Sequence, residues 1–445
     1  MHPIPRLSSA RRHRGQALVL ALVLLFAGSL GLMFMFSAGQ VSATKQRVVN
    51  AADAAAYSAA VWRARTMNYH AYSNRAIIVQ EVAIAQAVTL VSWVKYFETF
   101  VDNVTTVVEV ILPALAPAIE AIQTVIGWIR ELTEWTATLE IWLRGADTVG
   151  YKNLLAESQQ LMYLAGSSWG VSAVANQVAR ANDNAFFGHV LTDDSAYAQL
   201  TRRYESDDDR RRLLGLVVDS LDPFVTDRRA DLPLPLPSSC FGSSWQQWVQ
   251  WIRKRGGTAM APDLERWEAA DTLSIHDWRR RGGRCRQHEM IAIGWGAAEA
   301  SMQNTGEIES NPGDVEDNES ALEEAEDDII SIGGYNGISR VRDLNYESLD
   351  NPRFPTSRIA VIVHAPGSAA RTGSTVGVGT GRLQLSEDLH NRYISALAVA
   401  DVYFRRPADA PARVEYASLY SPYWQARLRE PTEAERREAE DHVDR

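Results

Sequence analysis

The chain has 445 residues, 46% hydrophobic and 22% charged, with a formal net charge of −10 at pH 7. That length accommodates two or three domains, and the composition excludes both a wholly disordered chain and a polytopic membrane protein. The acidic balance speaks against non-specific nucleic-acid binding, which needs a basic field, so no nucleic-acid partner is expected.

Ala17 to Phe36 reads ALVLALVLLFAGSLGLMFMF, without a charge. About 20 such residues span the ~30 Å hydrocarbon core as a helix, so Ala17, Leu22, Leu25 and Phe36 mark a membrane anchor. Arg6, Arg11, Arg12 and Arg14 precede the run, and the first charge after it is Lys45. The positive-inside rule then puts the N-terminus in the cytoplasm and the body outside, as a single-pass protein of a bacterial inner membrane. A cleaved signal peptide is the competing reading, with Ser37-Ala38-Gly39 as the cleavage site. The apolar run is longer than the usual 7–15 residues of such a signal. The positive charge is nearly all arginine, with lysine only at 45, 95, 152 and 254, which fits a GC-rich genome.

From Ser37 to Val101 there is no proline and only Gly39. Alanine, the best helix former, dominates, so the membrane helix is expected to continue outward as a long stalk. Asn50, Ala51, Ala52, Asp53, Ala54 and Ala55 form a small-residue stretch that lets another helix approach closely. The plain alternative there is an alanine packing face with two solvated polar groups. RGQALVLALVLLF followed by NAADAAAYSAA resembles the N-terminal segment of TadE/TadG-like proteins of the Flp (tight adherence) pilus system. Ala64–Gln86 and the ending Pro-Tyr-Trp-Gln-Ala-Arg at 422–427 are similar to longer members of that group. The resemblance implies a membrane-anchored, pilin-like or accessory component of pilus assembly or secretion. Its partners would be the inner membrane and other pilus-assembly proteins, with no catalytic residues and no cofactor. The sequence departs from processed pilins: the fifth residue after Gly15 is Leu20, where they carry glutamate. It also lacks the Asp-x-Ser-x-Ser metal site that some TadG-like proteins carry.

Asn68, Tyr69, His70, Tyr72, Asn74 and Arg75 crowd two helical turns. They suit either a partner helix or, preferably, a hydrogen-bonded cluster against the body. Val101–Leu143 is apolar but interrupted by charges and by Pro113 and Pro117, so it reads as helices packing on the first. Trp93, Trp128, Trp135, Trp142 and Trp169 are assigned to that packing. Ser206–Arg212 reads as a solvated helix face, and Leu232–Pro237 as a stiff extended connector.

Cys240 and Cys285 bracket a segment where Trp245, Trp248, Trp251, Trp267 and Trp278 alternate with arginines. The cysteines can form one disulfide in an oxidising compartment, closing about 45 residues for roughly 3–4 kcal/mol. The tryptophans either pack a small subdomain or, as the alternative function, hold cell-wall polymer or carbohydrate in a periplasmic binding module. Glu307–Asp328 is acidic and reads as a solvated loop without calcium-loop spacing. Arg358–His364 and Tyr393–Arg405 read as strands, Gly373–Gly381 as the loop between them, and Val414–Tyr420 as a further strand. Pro431–Arg445 is a charged helical tail. No G-x-S-x-G, H-E-x-x-H or Cys/His ligand spacing appears, so neither an enzyme nor a metal protein is expected.

The expected fold is α+β. A basic N-terminus (1–15) and membrane helix (16–36) lead into a helical stalk and helical region (37–190). A mixed Trp/Arg region (191–300), an acidic linker (301–330), a β-rich domain (331–428) and a charged tail (429–445) follow.

Overall fold

A computed structural model describes residues 16–111, 116–146, 150–192, 195–234, 250–303, 305–349, 351, 355–370, 392–406 and 416–444. Its spine is α1 (Gln16–Ile111), one helix of 96 residues. At 1.5 Å per residue it is about 144 Å long. The helix α2 (Ala116–Gly145) returns antiparallel along its distal end. Gln123 there meets Asp102 at 3.0 Å, Arg130 meets Glu98 at 3.0 Å, and Arg144 meets Gln80 at 2.6 Å. Then come α3 (Tyr151–Gly166), α4 (Ser168–Asn182), β1 (Phe187–Val190), α5 (Ser195–Leu200) and β2 (Thr201–Arg203). They lead to α6 (Asp207–Val218), α7 (Pro223–Thr226) and β3 (Ala230–Leu234). Three long strands follow: β4 (Gln250–Met260), β5 (Trp267–Arg281) and β6 (Arg284–Ala300). The chain ends with α8 (Glu319–Asp327), β7 (Ile330–Ile332), β8 (Arg342–Leu344), β9 (Thr356–Pro366), β10 (Tyr393–Phe404), β11 (Trp424–Arg429) and α9 (Glu433–Asp444).

Two sheets lie along the spine. The order β1-β9-β10-β11 is antiparallel throughout and joins residues far apart in sequence; the order β3-β4-β5-β6-β7 is antiparallel except for the parallel β6–β7 pair. A two-stranded ladder, β2-β8, completes the β structure among the described residues. Each sheet closes a core against a different stretch of α1. Val48–Met67 packs with α4 and the four-stranded sheet, and Ile77–Val91 packs with α2, α3, α6 and the five-stranded sheet. The α+β expectation holds.

Local chemistry explains the elements. In α6 the Ser206 hydroxyl caps the first turn by accepting from the Asp209 amide, and Asp207–Asp209 sit at the positive end of the helix dipole. The β5–β6 hairpin turns on Gly282 and Gly283, at φ 60° and 81°, the left-handed pair a two-residue turn requires. Sheet and spine touch through glycine: a Cβ on Gly296 would meet the α1 backbone at Ser92 O and Tyr96 N. Ser92, Thr99 and Asn103 of α1 donate to the β6 carbonyls of Gly296, Trp295 and Ile293 at 3.1, 2.5 and 3.0 Å.

Four expectations change. The acidic stretch is not a solvated loop: Val315 and Ala325 are buried with Ala270 and Ala297, Ala321 is fully buried too, and Glu289 caps the α8 amides of Ser320 and Ala321 at 2.6 and 3.2 Å. Alanines four apart gave it an apolar face that its charges masked. Leu232–Leu234 belongs to β3, an edge strand, where Pro233 is tolerated because its missing N–H breaks no ladder bond. Residues 416–420 carry no strand; the pairing with β10 starts at Trp424. The tryptophans of α1, α2 and α4 do not fill the packing. Trp128, Trp135 and Trp142 are exposed because α2 turns Ile119, Ile126, Ala137 and Ile141 inward instead; Trp169 on α4 is exposed too, and Trp93 on α1, 36% exposed, stacks on Phe97 and meets Phe224 edge-on.

Candidate functional site: anchor, alanine face and buried polar seam

The apolar start of α1 stands clear of the body. Ala17, Leu22, Leu25 and Phe36 are exposed, and no residue of its most apolar window is buried. An uncovered rod of that length and composition fits a single-pass membrane anchor. The arginines before it and Gly15 lie outside the described residues. Only about 12 residues, or ~18 Å of helix, separate Phe36 from Val48, where the core begins. Lys45 already bonds the Ser395 carbonyl of β10.

The alanine stretch follows at once. Ala51, Ala52, Ala55 and Ala56 are fully buried, and Ala59 and Ala60 extend the face. Their small side chains let the helix lie directly on α4 and on the β9–β10 pair. Asn50 is exposed and accepts from Gln46 one turn earlier at 3.0 Å. Asp53 and Ala54 are half-buried, and partial burial raises the Asp53 carboxyl above its usual range. The sequence pointed to a close approach by another helix, such as that of a pilin-like partner; the face is instead covered by the chain's own α4 and β9–β10 pair.

Two turns further, the polar residues of α1 hold the C-terminal segment. Asn68 donates to the Trp424 carbonyl and accepts from its amide, both at 3.0 Å. Asn74 donates to the carbonyls of Arg342 and Leu419, each at 2.8 Å, and Gln159 of α3 donates to the Asn74 oxygen. Such paired amide contacts satisfy backbone that would otherwise be buried unmet. The two segments singled out by resemblance, Ala64–Gln86 and 422–427, thus meet in space through the polar cluster at Asn68–Arg75. Both nitrogens of the buried His70 have no partner among the described residues, and burial, then the Arg342 charge, push it down to about 3.

Deeper still lies a charge cluster that no sequence motif announced. Glu81 of α1 and Lys152 of α3 are fully buried and 3.1 Å apart. The Glu81 carboxylate also accepts from Trp267 Nε1 at 3.2 Å and Tyr335 Oη at 2.8 Å. Lys152 lies 4.0 Å over the Tyr335 ring and bonds the Gly337 carbonyl. Burial lowers the lysine against the pull of Glu81, and burial plus the Glu81 charge raise Tyr335 well above its usual value, keeping it a neutral donor. A second cluster centres on the fully buried Asp271, which takes Arg228 bidentately at 2.8 and 2.9 Å and Lys254 at 2.6 Å. One signal was available: in a chain with four lysines, three (95, 152 and 254) are ion-paired and largely buried.

The Trp/Arg region does not present one aromatic platform. Trp267 is fully buried and bonded to Glu81, Trp251 and Trp278 are half-buried, and Trp245 and Trp248 lie outside the described residues. Cys285 on β6 is disulfide-bonded, while Cys240 lies outside the described residues, as does Gly373–Gly381. Among the described residues, no group of three or more His, Cys, Asp or Glu is placed to hold a metal ion.

An apolar rod leading into an alanine face that carries a body fits a helix-spined protein with a single-pass anchor. Residues 15–63 match the Flp pilus-assembly TadE/G-like family (Tad). That span covers the anchor and the alanine face, so the N-terminal segment is a TadE/G-like domain and connects the chain to Flp/Tad pilus assembly. Comparison with curated proteins and with solved structures returns no match.

Proposed function

We propose that this protein is a membrane-anchored, pilin-like or accessory structural component of a Flp/Tad-type pilus or secretion machine, acting by assembly and not by catalysis. The observation that carries the reading is the coincidence of the TadE/G-like match at 15–63 with an uncovered apolar helix that runs unbroken into the body. In this reading the N-terminus is cytoplasmic, the helix crosses the inner membrane, and both sheets are held outside on one rigid spine. The other Tad components meet surfaces of the body, since the alanine face is already filled from within. The test is a clean gene deletion scored for pili and surface adherence. Loss of both, restored by the full-length gene, is expected. Normal pili in the deletion strain would sink the reading.

A further inference from the structure

The outer face of α2 is apolar and uncovered, and its spacing differs from that of the inner face. Ile119, Ile126, Ala137 and Ile141 face α1. On the opposite side, Ile122, Ile129, Thr136 and Leu143 recur every seven residues, all exposed. Val125, Leu132 and Leu139 alternate with them at steps of three and four, also exposed. This is a heptad seam three repeats long, the first set at a positions and the second at d, with no charge at either. A helix that only covers a globular core has no need of a strict 3.5-residue period; two helices supercoiled on each other do. Ile122 and Ile129 at a with Leu132 and Leu139 at d are the combination that favours two parallel strands, while Thr136 and Leu143 at a and Val125 at d depart from it without adding a charge.

Trp128, Trp135 and Trp142 flank the seam, again seven apart, and are 69, 64 and 52% exposed. With about 150–250 Å² per tryptophan, they leave roughly 300–450 Å² of aromatic surface uncovered. The half-exposed a and d residues bring the stripe beyond the ~300–600 Å² of the largest patch on a typical monomer and toward the ~800 Å² per partner of a stable interface.

We propose that this stripe is the interface with a second copy of the chain, forming a parallel two-stranded coiled coil of α2 helices. Lipid does not fit as the occupant: α2 runs beside residues 80–102 of α1, about 65–100 Å of helix beyond Phe36. A second copy fits for a geometric reason, which rests on the anchoring reading above. Two chains held in one membrane share polarity and height, so identical a and d layers face each other in register, at raised local concentration.

The test uses the full-length chain in the membranes of cells that express it. Val125→Cys, Leu132→Cys and Leu139→Cys should each give an oxidised dimer of twice the chain mass, absent from the parent and from Thr138→Cys, an exposed position of α2 off the seam. Leu132→Asp combined with Leu139→Asp, both surface changes, should reduce the detergent-solubilised chain from two copies to one without altering its circular dichroism. Cross-linking at Leu132 alone would mean antiparallel packing and overturn the parallel pair. A product of another mass would make the occupant a different protein, and no product would dismiss the seam. Carbonate washing of the same membranes separates the two readings. Washed-out chain that still cross-links leaves the seam standing and removes the anchor; retained chain that does not cross-link does the reverse.

Discussion

Glu81 and Lys152 show how one residue can matter without any chemistry to perform. A fully buried pair adds little net stability, because desolvation offsets the Coulomb gain, but removing one partner leaves a bare charge inside the protein. Glu81→Ala strands the Lys152 ammonium and takes the acceptor from Trp267 and Tyr335 together. It should destabilise the body by about 3–5 kcal/mol, read as a lower urea midpoint of the solubilised chain. A change below about 1 kcal/mol would mean that the cluster relaxes or admits water. The pair ties α1, α3 and β5 together, so its cost is set by tertiary contacts that neither residue's neighbours in sequence reveal.

At the scale of elements, α9 is held by a small set of side-chain contacts. Its Glu435 pairs with Arg358 at 2.9 Å, and His442 stacks on His189 with ring centres 4.9 Å apart, 5.7 Å from His364. Lys45, Arg436 and Glu440 line the cleft beside them. Burial lowers His189, with the neighbouring His442 adding to it; burial, then His442 and His189, lower His364 to about 4. Both imidazoles resist protonation in the folded state. The contribution of His364 is therefore complete above the unfolded value of about 6.5 and is lost as pH falls toward about 4, and that of His189 is lost in the same direction. Hydrogen exchange of the α9 amides, corrected for intrinsic rates, should quicken between pH 7.5 and pH 5, and less so in His364→Phe. Unchanged protection at pH 5 would show that the Arg358 pair alone holds the helix. Some elements were legible: β9 and β10 follow from β-branched alternation, and α1 from alanine content, whereas the long strands β4, β5 and β6 lay in the stretch read only as a mixed Trp/Arg region. The acidic helix α8 was not, because its apolar face is two alanines wide.

For the whole molecule, α1 is the beam on which two cores are built, and in the proposed reading its apolar start is also the anchor. The body should lie outside the cytoplasm. A reporter fused after Arg427 should be active only if it needs the periplasm, and peptide mapping without reductant should recover Cys285 joined to Cys240. A reporter active only in the cytoplasm, or a free Cys240 thiol, would reverse the orientation. A shortened soluble form would instead place cleavage near Ala38.

The sequence alone determined what depends on local composition. A charge-free run of 20 residues is a membrane-length rod wherever it occurs, an alanine-rich stretch without proline is helical, and the RGQ and NAADAA segments point to the TadE/G-like family. It also singled out Asn68–Arg75 as a polar cluster against the body, which the contacts to Trp424 and Leu419 bear out. Only the tertiary structure decided what lies against each face. The alanines meet the chain's own sheet, the tryptophans of α2 face outward, and β1 joins strands more than 160 residues away. Periodicity tells which residues share a face, but burial depends on what the rest of the chain brings to that face, and those partners are distant in sequence.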